Sequence, residues 1–516
     1  MKLEKESILW GIEHVFTDSD TDLSPKPEEI NIIYSDKENI ADELANIDMC
    51  QYVWKPCRRF IIPKSNLSYR VATQLDPLDS ILLAAIIYQF GNKIEEKRVE
   101  KADKKVFNYR FNPSEDGYLY NDSNAWHEFW DTSKKKAQNY QFAVYVDIAD
   151  FYNQIYHHTI ENQLISCEFP NAIKRTIMNL LESVTQRVSR GIPIGPHSVH
   201  LLAEMSLIPI DNSLLTRGVD FCRYSDDIVM FCNDPVQAQK LVYEIATILD
   251  KQQRLILQNQ KTKIYSSSEF IKICEENLDD NPIDKLEKEM TEIFRKYTSG
   301  GYGAIRVGDI PEEKMKLFSE ENISILLDKY LKQNEPDYNR IRWFFRRLSR
   351  IGTPNAIKYI TGNFNNFVPA ISDICRYFVS VANTQNEEMY NVGEDLINLL
   401  DTEIFKANEF FQISILSLFT NTIHFNHIHK VISMYRSSSE NIKREVILSA
   451  HITNKSDWLR ELKEEYPRLD EWSQRALLIA SSNFPADEKK FFLQGIKNNL
   501  RPGSILENLL IKWAKK

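Results

Sequence analysis

The order of apolar and polar positions divides the chain into two stretches of different character. From about residue 50 to 270, short apolar runs typical of strands alternate with longer amphipathic stretches typical of helices. From about residue 315 to the end, the apolar spacing is helical, with short polar loops and few glycines. We therefore expect an α+β part followed by an all-helical part.

Four regions are expected along the chain. They are an N-terminal arm at residues 1–50, the α+β part at 51–270, a connector at 271–314 and a helical domain at 315–516. In the last region helix pairs recur about every 35–40 residues, which favours a stacked array of the HEAT type, although no repeated motif marks it.

The most informative stretch of the α+β part runs FCRYSDDIVMF from Phe221 to Phe231. Apolar residues on both sides of a Tyr-Ser-Asp-Asp turn predict a hairpin of two buried strands with Asp226 and Asp227 at its tip. Adjacent carboxylates repel each other, so the pair indicates either a cation site or an acidic surface turn, where Asp is common. The hairpin alone leaves both interpretations open.

A third carboxylate is predicted at the end of another apolar strand. Asp147 ends this strand and leads into a helix through Ile155, so it either caps the helix or joins the carboxylates of the hairpin. Asp150, Phe151 and Tyr152 begin the helix, where exposed backbone N–H groups can receive phosphate oxygens. We expect the ring of Tyr152 to floor a sugar site and to obstruct a 2′-hydroxyl.

Two shorter strands are predicted upstream, from Arg58 to Lys64 and from Tyr69 to Thr73, followed by a helix from Pro77 to Arg98. The strands would form a ribbon with Lys64 and Arg70 near its turn. Two cations there can grip a polyphosphate, or they can form a solvated edge that protects a strand from aggregation.

Two segments around the hairpin complete the pattern. Glycines in RGIPIGPHS, from Arg190 to Ser198, predict a turn with close backbone approach before a helix; many loops share this feature. The segment from Leu255 to Ile264 predicts an edge strand. On it, Lys261 is placed to meet a leaving pyrophosphate, or is simply an exposed edge lysine.

The remaining α+β sequence is less specific. Residues 101–140 are polar and aromatic and end in Lys134, Lys135 and Lys136. They suit either a packed insertion or a surface that touches a nucleic-acid strand, and the lysines alone are typical of a solvated loop. A helical stretch is expected from residue 160 to about 186.

Composition indicates the cellular location of the protein more clearly than any reaction it catalyses. The net charge of −9 gives no general attraction to nucleic acid, so any nucleic-acid path must be a local basic groove. Seven scattered cysteines without a CxxC pair argue against a disulfide framework and a zinc ribbon, and favour a cytoplasmic protein. Neither a signal peptide nor a membrane span is expected.

Taken in order, these segments resemble a reverse transcriptase over about residues 50–270. Lys64 and Arg70 match the fingers residues that bind triphosphate in that family. The other matches are VYVDIADFY to its first catalytic motif, RGIPIGPHS to its glycine motif, YSDD to its Tyr-x-Asp-Asp motif and LILQNQKTK to its lysine motif. The resemblance implies a right-hand polymerase with fingers and palm.

The resemblance also implies two-metal nucleotidyl transfer from dNTPs. Asp147 and Asp226 would coordinate two Mg²⁺ ions, which Mn²⁺ can replace, with the Ile148 carbonyl completing one site and Asp227 beside them. The expected nucleotide-contacting residues are Lys64, Arg70, Asp150, Phe151, Tyr152 and Lys261. One departure from the family pattern is Ile194, where a polar residue, often Gln, is usual.

Three features resemble the bacterial abortive-infection and defence-associated group. They are VFNYRF, GIPIGP and the helical C-terminal half in place of RNase H-like, integrase-like or HNH-like segments. This resemblance implies antiphage defence, assembly as a homo-oligomer and DNA synthesis started on a protein hydroxyl, for which Tyr302 is a candidate. Expected partners are RNA or single-stranded DNA and, by analogy, a non-coding RNA.

Two other functions stay open. The first is an RNA-templated enzyme of retron or group II intron type that copies a dedicated RNA, against which the helical half argues. The second is a catalytically silent scaffold that only binds RNA. The intact carboxylate set argues against a scaffold, because a retired site has no reason to hold like charges together.

Overall fold

The chain folds into two compact units in the computed structural model, which describes residues 1–18, 25–120, 124–278, 282–297, 310–333, 335–382 and 386–516. The first unit comprises Met1–Asp22, Tyr34–Arg58 and Thr73–Pro282. The second comprises Leu23–Ile33, Arg59–Ala72 and Ile283–Lys516. Segments from the N-terminal fifty residues therefore occur in both units.

The described chain up to Leu278 contains both helices and strands. In chain order the elements are α1 (Lys5–Thr17), α2 (Glu28–Ser35), α3 (Lys37–Ala45), β1 (Arg58–Pro63), β2 (Tyr69–Gln74), α4 (Pro77–Glu95), α5 (Ala125–Ala137), β3 (Phe142–Asp147), α6 (Phe151–Gln154), α7 (His157–Ser166), α8 (Asn171–Val184), α9 (Val199–Thr216), β4 (Asp220–Tyr224), β5 (Asp227–Cys232), α10 (Pro235–Gln253), β6 (Lys263–Ser266) and α11 (Ser267–Leu278).

A four-stranded antiparallel sheet, ordered β4-β5-β3-β6, lies at the centre of the first unit. Its strands are rich in β-branched and aromatic residues, which suit a sheet covered on both faces. Helices α5 and α11 pack on one face through a cluster that includes Phe129, Trp130 and Phe270. Helix α10 packs against β3 and β5. The predicted hairpin of β4 and β5 is thereby confirmed as part of the core.

The register of the sheet brings its acidic residues together. Asp147, the last residue of β3, lies opposite Asp227, the first residue of β5. Ser225, in the turn that joins β4 to β5, has a φ of 55°, in the left-handed region. This turn places Asp226 beside the end of β3, as the sequence predicts.

Helix α1 packs closely on α4 in the first unit. A Cβ at Gly11 would lie only 2.6 Å from the carbonyl oxygen of Ile81, so this crossing requires glycine. Part of the expected N-terminal arm is therefore a helix that contributes to the core of the first unit.

Three predicted boundaries are wrong. The helical stretch from residue 160 to about 186 is divided between α7 and α8, which Pro170 separates because it fits the start of α8 better than a helix interior. Helix α4 ends at Glu95 rather than at Arg98, whose side chain is buried in ion pairs. Ile155 lies between α6 and α7, not in a continuous helix.

The predicted edge strand is present as β6 at the edge of the sheet, but its predicted bounds, Leu255 to Ile264, are wrong. The backbone N–H groups of Lys261 and Thr262 both donate to the carbonyl oxygen of Gln258, which closes a helical turn there. Strand β6 consequently begins only at Lys263. Lys261 thus precedes the strand.

The lysine triplet is neither a loop nor a free basic surface. It ends helix α5, where cations are favourable near the helix C-terminus. Lys134 pairs with Glu275 at 2.8 Å, and Lys136 pairs with Asp220 at 2.6 Å. Lys135 lies 2.5 Å from Asp131 on the same helix. These ion pairs favour a structural role for the triplet.

Beyond residue 282 the described chain is almost wholly helical. Its helices are α12 (Lys285–Tyr297), α13 (Glu312–Met315), α14 (Glu320–Leu331), α15 (Tyr338–Ile351), α16 (Ile357–Thr361), α17 (Ile371–Val381), α18 (Asn386–Leu400), α19 (Glu403–Lys406), α20 (Glu409–Asn421), α21 (Ile428–Ser433), α22 (Glu440–Ile452), α23 (Ser456–Glu461), α24 (Glu471–Ala480), α25 (Ala486–Asn499) and α26 (Ile505–Ala514).

Longer helices of this region form a continuous row. Helix α15 packs on α17, α17 on α20, α20 on α22, α22 on α24, and α24 on α26. Each contact joins helices that are close in sequence, as in stacked helical arrays. The expected order of an α+β part followed by a largely helical region is confirmed. None of the described helices has the length and apolar character needed to cross a membrane.

The ribbon of β1 and β2 lies mostly in the second unit. Arg342 on α15 donates from Nη2 to the carbonyl oxygens of Pro63 and Lys64, at 2.7 and 2.9 Å. Asn408 donates from Nδ2 to the carbonyl oxygen of Ile61 at 2.9 Å. Side chains of the helical region thus fix the backbone of the ribbon.

An ion pair ties part of the N-terminal sequence into the second unit. Arg444 on α22 binds Glu29 on α2 through two hydrogen bonds of 2.9 and 2.7 Å. Both side chains are almost completely buried. Without Arg444, the buried carboxylates of Glu29 and Glu445 would lose this cation. Without Glu29, the guanidinium would lose its two hydrogen bonds to a carboxylate, and its contact with the carboxylate of Glu445 is longer, at 3.7 Å.

Glu29→Ala should destabilise the second unit by about 3–5 kcal/mol, because the buried Arg444 guanidinium loses both of its hydrogen bonds to the Glu29 carboxylate. The matched control is Glu394→Ala, which removes a half-exposed pair with Lys430 and should cost about 0–1 kcal/mol. Urea titration, combined with hydrogen exchange followed in α22 and α24, measures the loss of stability in both variants. Equal, small losses would contradict a structural role for the buried pair.

Candidate active site

Three carboxylates converge where β3 ends and the β4–β5 turn begins. Asp147, Asp226 and Asp227 each offer one oxygen, and these oxygens all lie within 4.8 Å of one another. The backbone ties the two strands together here, since the N–H of Ile148 donates to the carbonyl oxygen of Asp226 at 3.3 Å. The cluster predicted from the sequence is therefore assembled in the fold.

The surroundings of these carboxylates disfavour their ionised form. Burial, together with the charges of Asp226 and Asp147, raises the pKa of Asp227 to about 7, against the effect of a hydrogen bond from Tyr145. Burial and the charge of Asp147 also raise the pKa of Asp226. Like charges held in a partly buried site are repulsive unless cations are bound between them.

Two neighbours partly offset this repulsion. The hydroxyl of Tyr145 donates to Oδ1 of Asp227 at 2.5 Å, and burial with that charge raises the pKa of Tyr145, so it keeps its proton. Lys261 donates from Nζ to Oδ1 of Asp147 at 2.9 Å. Although partial burial lowers the pKa of Lys261, the interaction with Asp147 raises it overall.

The donor set fits divalent metal ions. Carboxylate oxygens are the ligands that Mg²⁺ and Mn²⁺ prefer, and each of the three aspartates offers one at this site. The Lys261 ammonium on Asp147 already marks the position as one that takes a cation.

A buried ionic network lies beneath the acidic turn. Arg223 on β4 makes a bidentate pair with Asp211 at 2.7 and 2.6 Å, and its Nη1 lies 3.0 Å from Glu204. The same Nη1 donates to the carbonyl oxygen of Ser225 at 3.1 Å. The network therefore reaches the backbone of the turn directly.

Asn108 completes the support of the turn. Its Oδ1 accepts from the N–H of Ser225 at 2.8 Å, while its Nδ2 donates to Glu204 at 2.8 Å. Arg98 donates from Nη2 to Glu204 and to the Asn108 carbonyl oxygen, at 2.7 and 2.9 Å. Both backbone polar groups of Ser225 are thus bonded to fully buried side chains.

Sequence reasoning missed these supporting residues. Arg223 and Asn108 lie in the stretches FCRYSDD and VFNYRF. A charged residue inside an apolar strand, as at Arg223, is a sequence signal for a buried ion pair, and Arg223 is completely buried. Asn108 carries no local signal, since its partner Ser225 is 117 residues away.

Apart from Lys261, which binds Asp147, the predicted nucleotide-contacting residues of the first unit lie at α6 and the residue before it. Asp150 has a φ of 49° and accepts hydrogen bonds from Asn153 and Gln154. Phe151 is buried. The hydroxyl of Tyr152 lies 2.5 Å from Nδ1 of His200, and its carbonyl oxygen accepts from the N–H of Ile192.

The glycine loop adopts the backbone that its sequence predicts. Gly191 and Gly195 have φ values of 94° and 141°, which other residues rarely adopt. The carbonyl oxygen of Ile194 accepts from the N–H of Thr73 at 2.7 Å. Ile194 therefore has a backbone role here.

The two remaining predicted residues, Lys64 and Arg70, lie in the second unit. Lys64 follows β1 and closes the ribbon turn, with its N–H donating to the carbonyl oxygen of Ser68 at 2.7 Å. Arg70 lies on β2. The candidate priming residue Tyr302 falls outside the described residues.

Comparison with protein families gives a match over residues 62–291, to the family described as reverse transcriptase (RNA-dependent DNA polymerase). This part of the chain is a reverse transcriptase domain. The clustered aspartates lie inside the matched residues, so the chain carries a reverse transcriptase domain with the acidic triad that an RNA-directed DNA polymerase needs. A comparison with curated proteins found no match.

Asp227→Asn should stabilise the reverse transcriptase domain without metal. A carboxyl group with a raised folded-state pKa favours folding when protonated and opposes it once ionised, so the penalty grows as pH rises from about 4 through about 7. The gain should therefore be larger at pH 8 than at pH 5, by about 1–3 kcal/mol. The side-chain oxygen of asparagine at residue 227 can still accept the hydrogen bond from the Tyr145 hydroxyl.

Thermal unfolding in EDTA at both pH values measures this difference. The matched control is Asp116→Asn, an exposed aspartate away from the cluster, which should not differ between the two pH values. A loss of stability in Asp227→Asn that is equal at pH 5 and pH 8 would contradict the repulsion.

Asn108→Ala should lower kcat by about 100-fold, because the catalytic turn loses a hydrogen bond and shifts relative to β3. Asn112→Ala, an exposed asparagine in the same segment, is the control and should keep activity. Single-turnover primer extension measures the rate, with circular dichroism to confirm folding. Activity within twofold of the native enzyme would show that Asn108 does not position the turn.

Proposed function

We propose that this protein is a reverse-transcriptase-like DNA polymerase of antiviral (phage) defence. It would add dNTPs by two-metal nucleotidyl transfer, with an unusual template or none and with a protein hydroxyl as candidate primer. The observation that carries the polymerase assignment is the convergence of Asp147, Asp226 and Asp227 within a reverse transcriptase domain.

In this proposal the aspartates hold the metal ions. Asp147 and Asp226 would bind both ions, with the Ile148 carbonyl and Asp227 beside them. Bound Mg²⁺ would favour ionisation of the attacking hydroxyl and stabilise charge on the leaving pyrophosphate. A bound ion would also replace the Lys261 ammonium at Asp147, which would release Lys261 towards the pyrophosphate.

The nucleotide would lie against α6, with Asp150 and Phe151 beside it and Tyr152 under its sugar. Lys64 and Arg70 on the ribbon are the proposed triphosphate ligands, Arg by forked hydrogen bonds and Lys as a point charge. Two properties support these roles: the residues occur in family order, and the ribbon backbone is fixed by Arg342.

The defence assignment rests on the organisation of the chain. A largely helical region follows the reverse transcriptase domain, as in the abortive-infection and defence-associated group that the sequence resembles. By that resemblance we propose a homo-oligomer that works in the cytoplasm and binds RNA or single-stranded DNA. The net charge of −9 requires any nucleic-acid path to be local.

The decisive test is incorporation of labelled dNTPs by the full chain. With Mg²⁺ we expect labelled product from the native protein and none from Asp226→Asn/Asp227→Asn, because the neutral side chains cannot hold the ions. Asp116→Asn should retain incorporation. Equal labelling by native protein and the double variant would refute the polymerase assignment.

The same product separates the modes of priming. It is run on a denaturing gel before and after protease treatment. Label that enters the gel only after protease is attached to protein, as proposed. Label that is unaffected by protease would overturn protein priming and favour an enzyme that extends a nucleic-acid primer.

A further inference from the structure

Tyr152, the proposed sugar-selecting residue, belongs to a cluster of aromatic and imidazole side chains. Its hydroxyl lies 2.5 Å from Nδ1 of His200, and the two rings meet edge to face at a centroid distance of 5.7 Å. On its other side the imidazole stacks on Tyr109, with centroids 4.2 Å apart and planes inclined by 11°. Three separate segments thus meet at His200.

The position of His200 is fixed by the start of α9. Tyr120 donates from its hydroxyl to the carbonyl oxygen of His197 at 2.9 Å. The same hydroxyl accepts from the N–H of Leu201 at 3.1 Å. The first turn of the helix is therefore bound on both sides of His200, so the imidazole has little freedom to move with the backbone.

Tyr109 is held in an unfavourable backbone conformation. Its φ of 47° lies in the left-handed region, which costs a bulky residue about 1–3 kcal/mol. Arg98 stabilises this conformation by donating to the Tyr109 carbonyl oxygen at 2.6 Å. The preceding residue, Asn108, is anchored by Glu204. The surroundings thus maintain a strained residue whose ring covers His200.

We propose that His200 and Tyr109 are positioning residues that set sugar selectivity by fixing the ring of Tyr152. This inference rests on the proposed role of Tyr152 as the residue that sterically excludes a 2′-hydroxyl. The ring of Tyr152 can exclude a 2′-hydroxyl only if the ring does not move, since a site that relaxes accommodates added atoms at small cost. The hydrogen bond and the stacked imidazole prevent that relaxation.

The hydroxyl of Tyr152 keeps its proton, because burial raises the pKa of Tyr152 well above its ordinary value. It forms a hydrogen bond with Nδ1 of His200, and the imidazole tautomer sets which of the two atoms donates. Phenylalanine at residue 152 would keep the ring and lose this bond. Asparagine at residue 200 would place an amide that can accept or donate near the position of Nδ1, whereas alanine would not.

The segment that contains Asn108 and Tyr109 would then influence both the catalytic rate and the sugar selectivity of the enzyme. Asn108 supports the turn that carries Asp226 and Asp227, and the adjacent Tyr109 supports the side chain that meets the sugar. Catalytic rate and sugar selectivity should consequently respond to different residues of the same segment.

The test compares kcat/KM for dATP and ATP in the full-length polymerase. Tyr152→Ala should lower the dATP preference by about 100-fold, and Tyr152→Phe and His200→Ala by about tenfold each. Tyr152→Phe/His200→Ala should be no worse than His200→Ala, because the hydrogen bond that Tyr152→Phe removes is already lost in His200→Ala. His200→Asn should recover most of the preference. In the two single variants of His200, kcat for dATP should change less than about threefold, so that the loss is one of selectivity.

His158→Ala is the matched control, since His158 is an exposed histidine of the same unit. If Tyr152→Ala relaxes selectivity but Tyr152→Phe and His200→Ala do not, the positioning role is refuted and the role of Tyr152 stands. If Tyr152→Ala has no effect, the sugar-selecting role fails and the inference fails with it. Should His200→Ala not fold, Tyr152→Phe decides, because it removes a single hydroxyl.

Discussion

Repulsion among three carboxylates is the constraint that shapes the reverse transcriptase domain. Asp147, Asp226 and Asp227 are held with oxygens within 4.8 Å, and burial raises the pKa of Asp226 and Asp227. A turn under such repulsion would open unless its backbone were fixed from behind. The buried network of Arg98, Glu204, Asp211 and Arg223, with Asn108, provides that support at Ser225. The fold thus holds the three carboxylates together in the arrangement that a two-metal site requires.

The elements that carry the aspartates were predictable, and their support was not. Apolar runs that end at Asp147 and flank Tyr-Ser-Asp-Asp predict strands from local pattern alone, and the fold confirms them. Asn108 and His200 act on Ser225 and Tyr152, which are 117 and 48 residues away, so no local pattern reveals them. The strand expected at Lys261 failed because a backbone turn at Gln258 competes with extended structure.

The helical region also binds segments from the N-terminal part of the chain. Within the second unit, Arg342 and Asn408 bind the backbone of the ribbon that bears the proposed triphosphate ligands, Lys64 and Arg70. Arg444 likewise holds Glu29 from the N-terminal sequence. A region that fixes segments so distant in sequence is part of the framework of the enzyme. Its loss would be expected to disturb the ribbon as well as the helices.

Binding of Mn²⁺ followed by electron paramagnetic resonance tests the central claim most directly. With a dNTP present, the native protein should show a spin-coupled pair of ions about 3.5–4 Å apart. Asp226→Asn should abolish the coupled signal, whereas Asp116→Asn should not. Uncoupled Mn²⁺, or a coupled signal that survives Asp226→Asn, would contradict the assignment of the three carboxylates as the metal site of a polymerase.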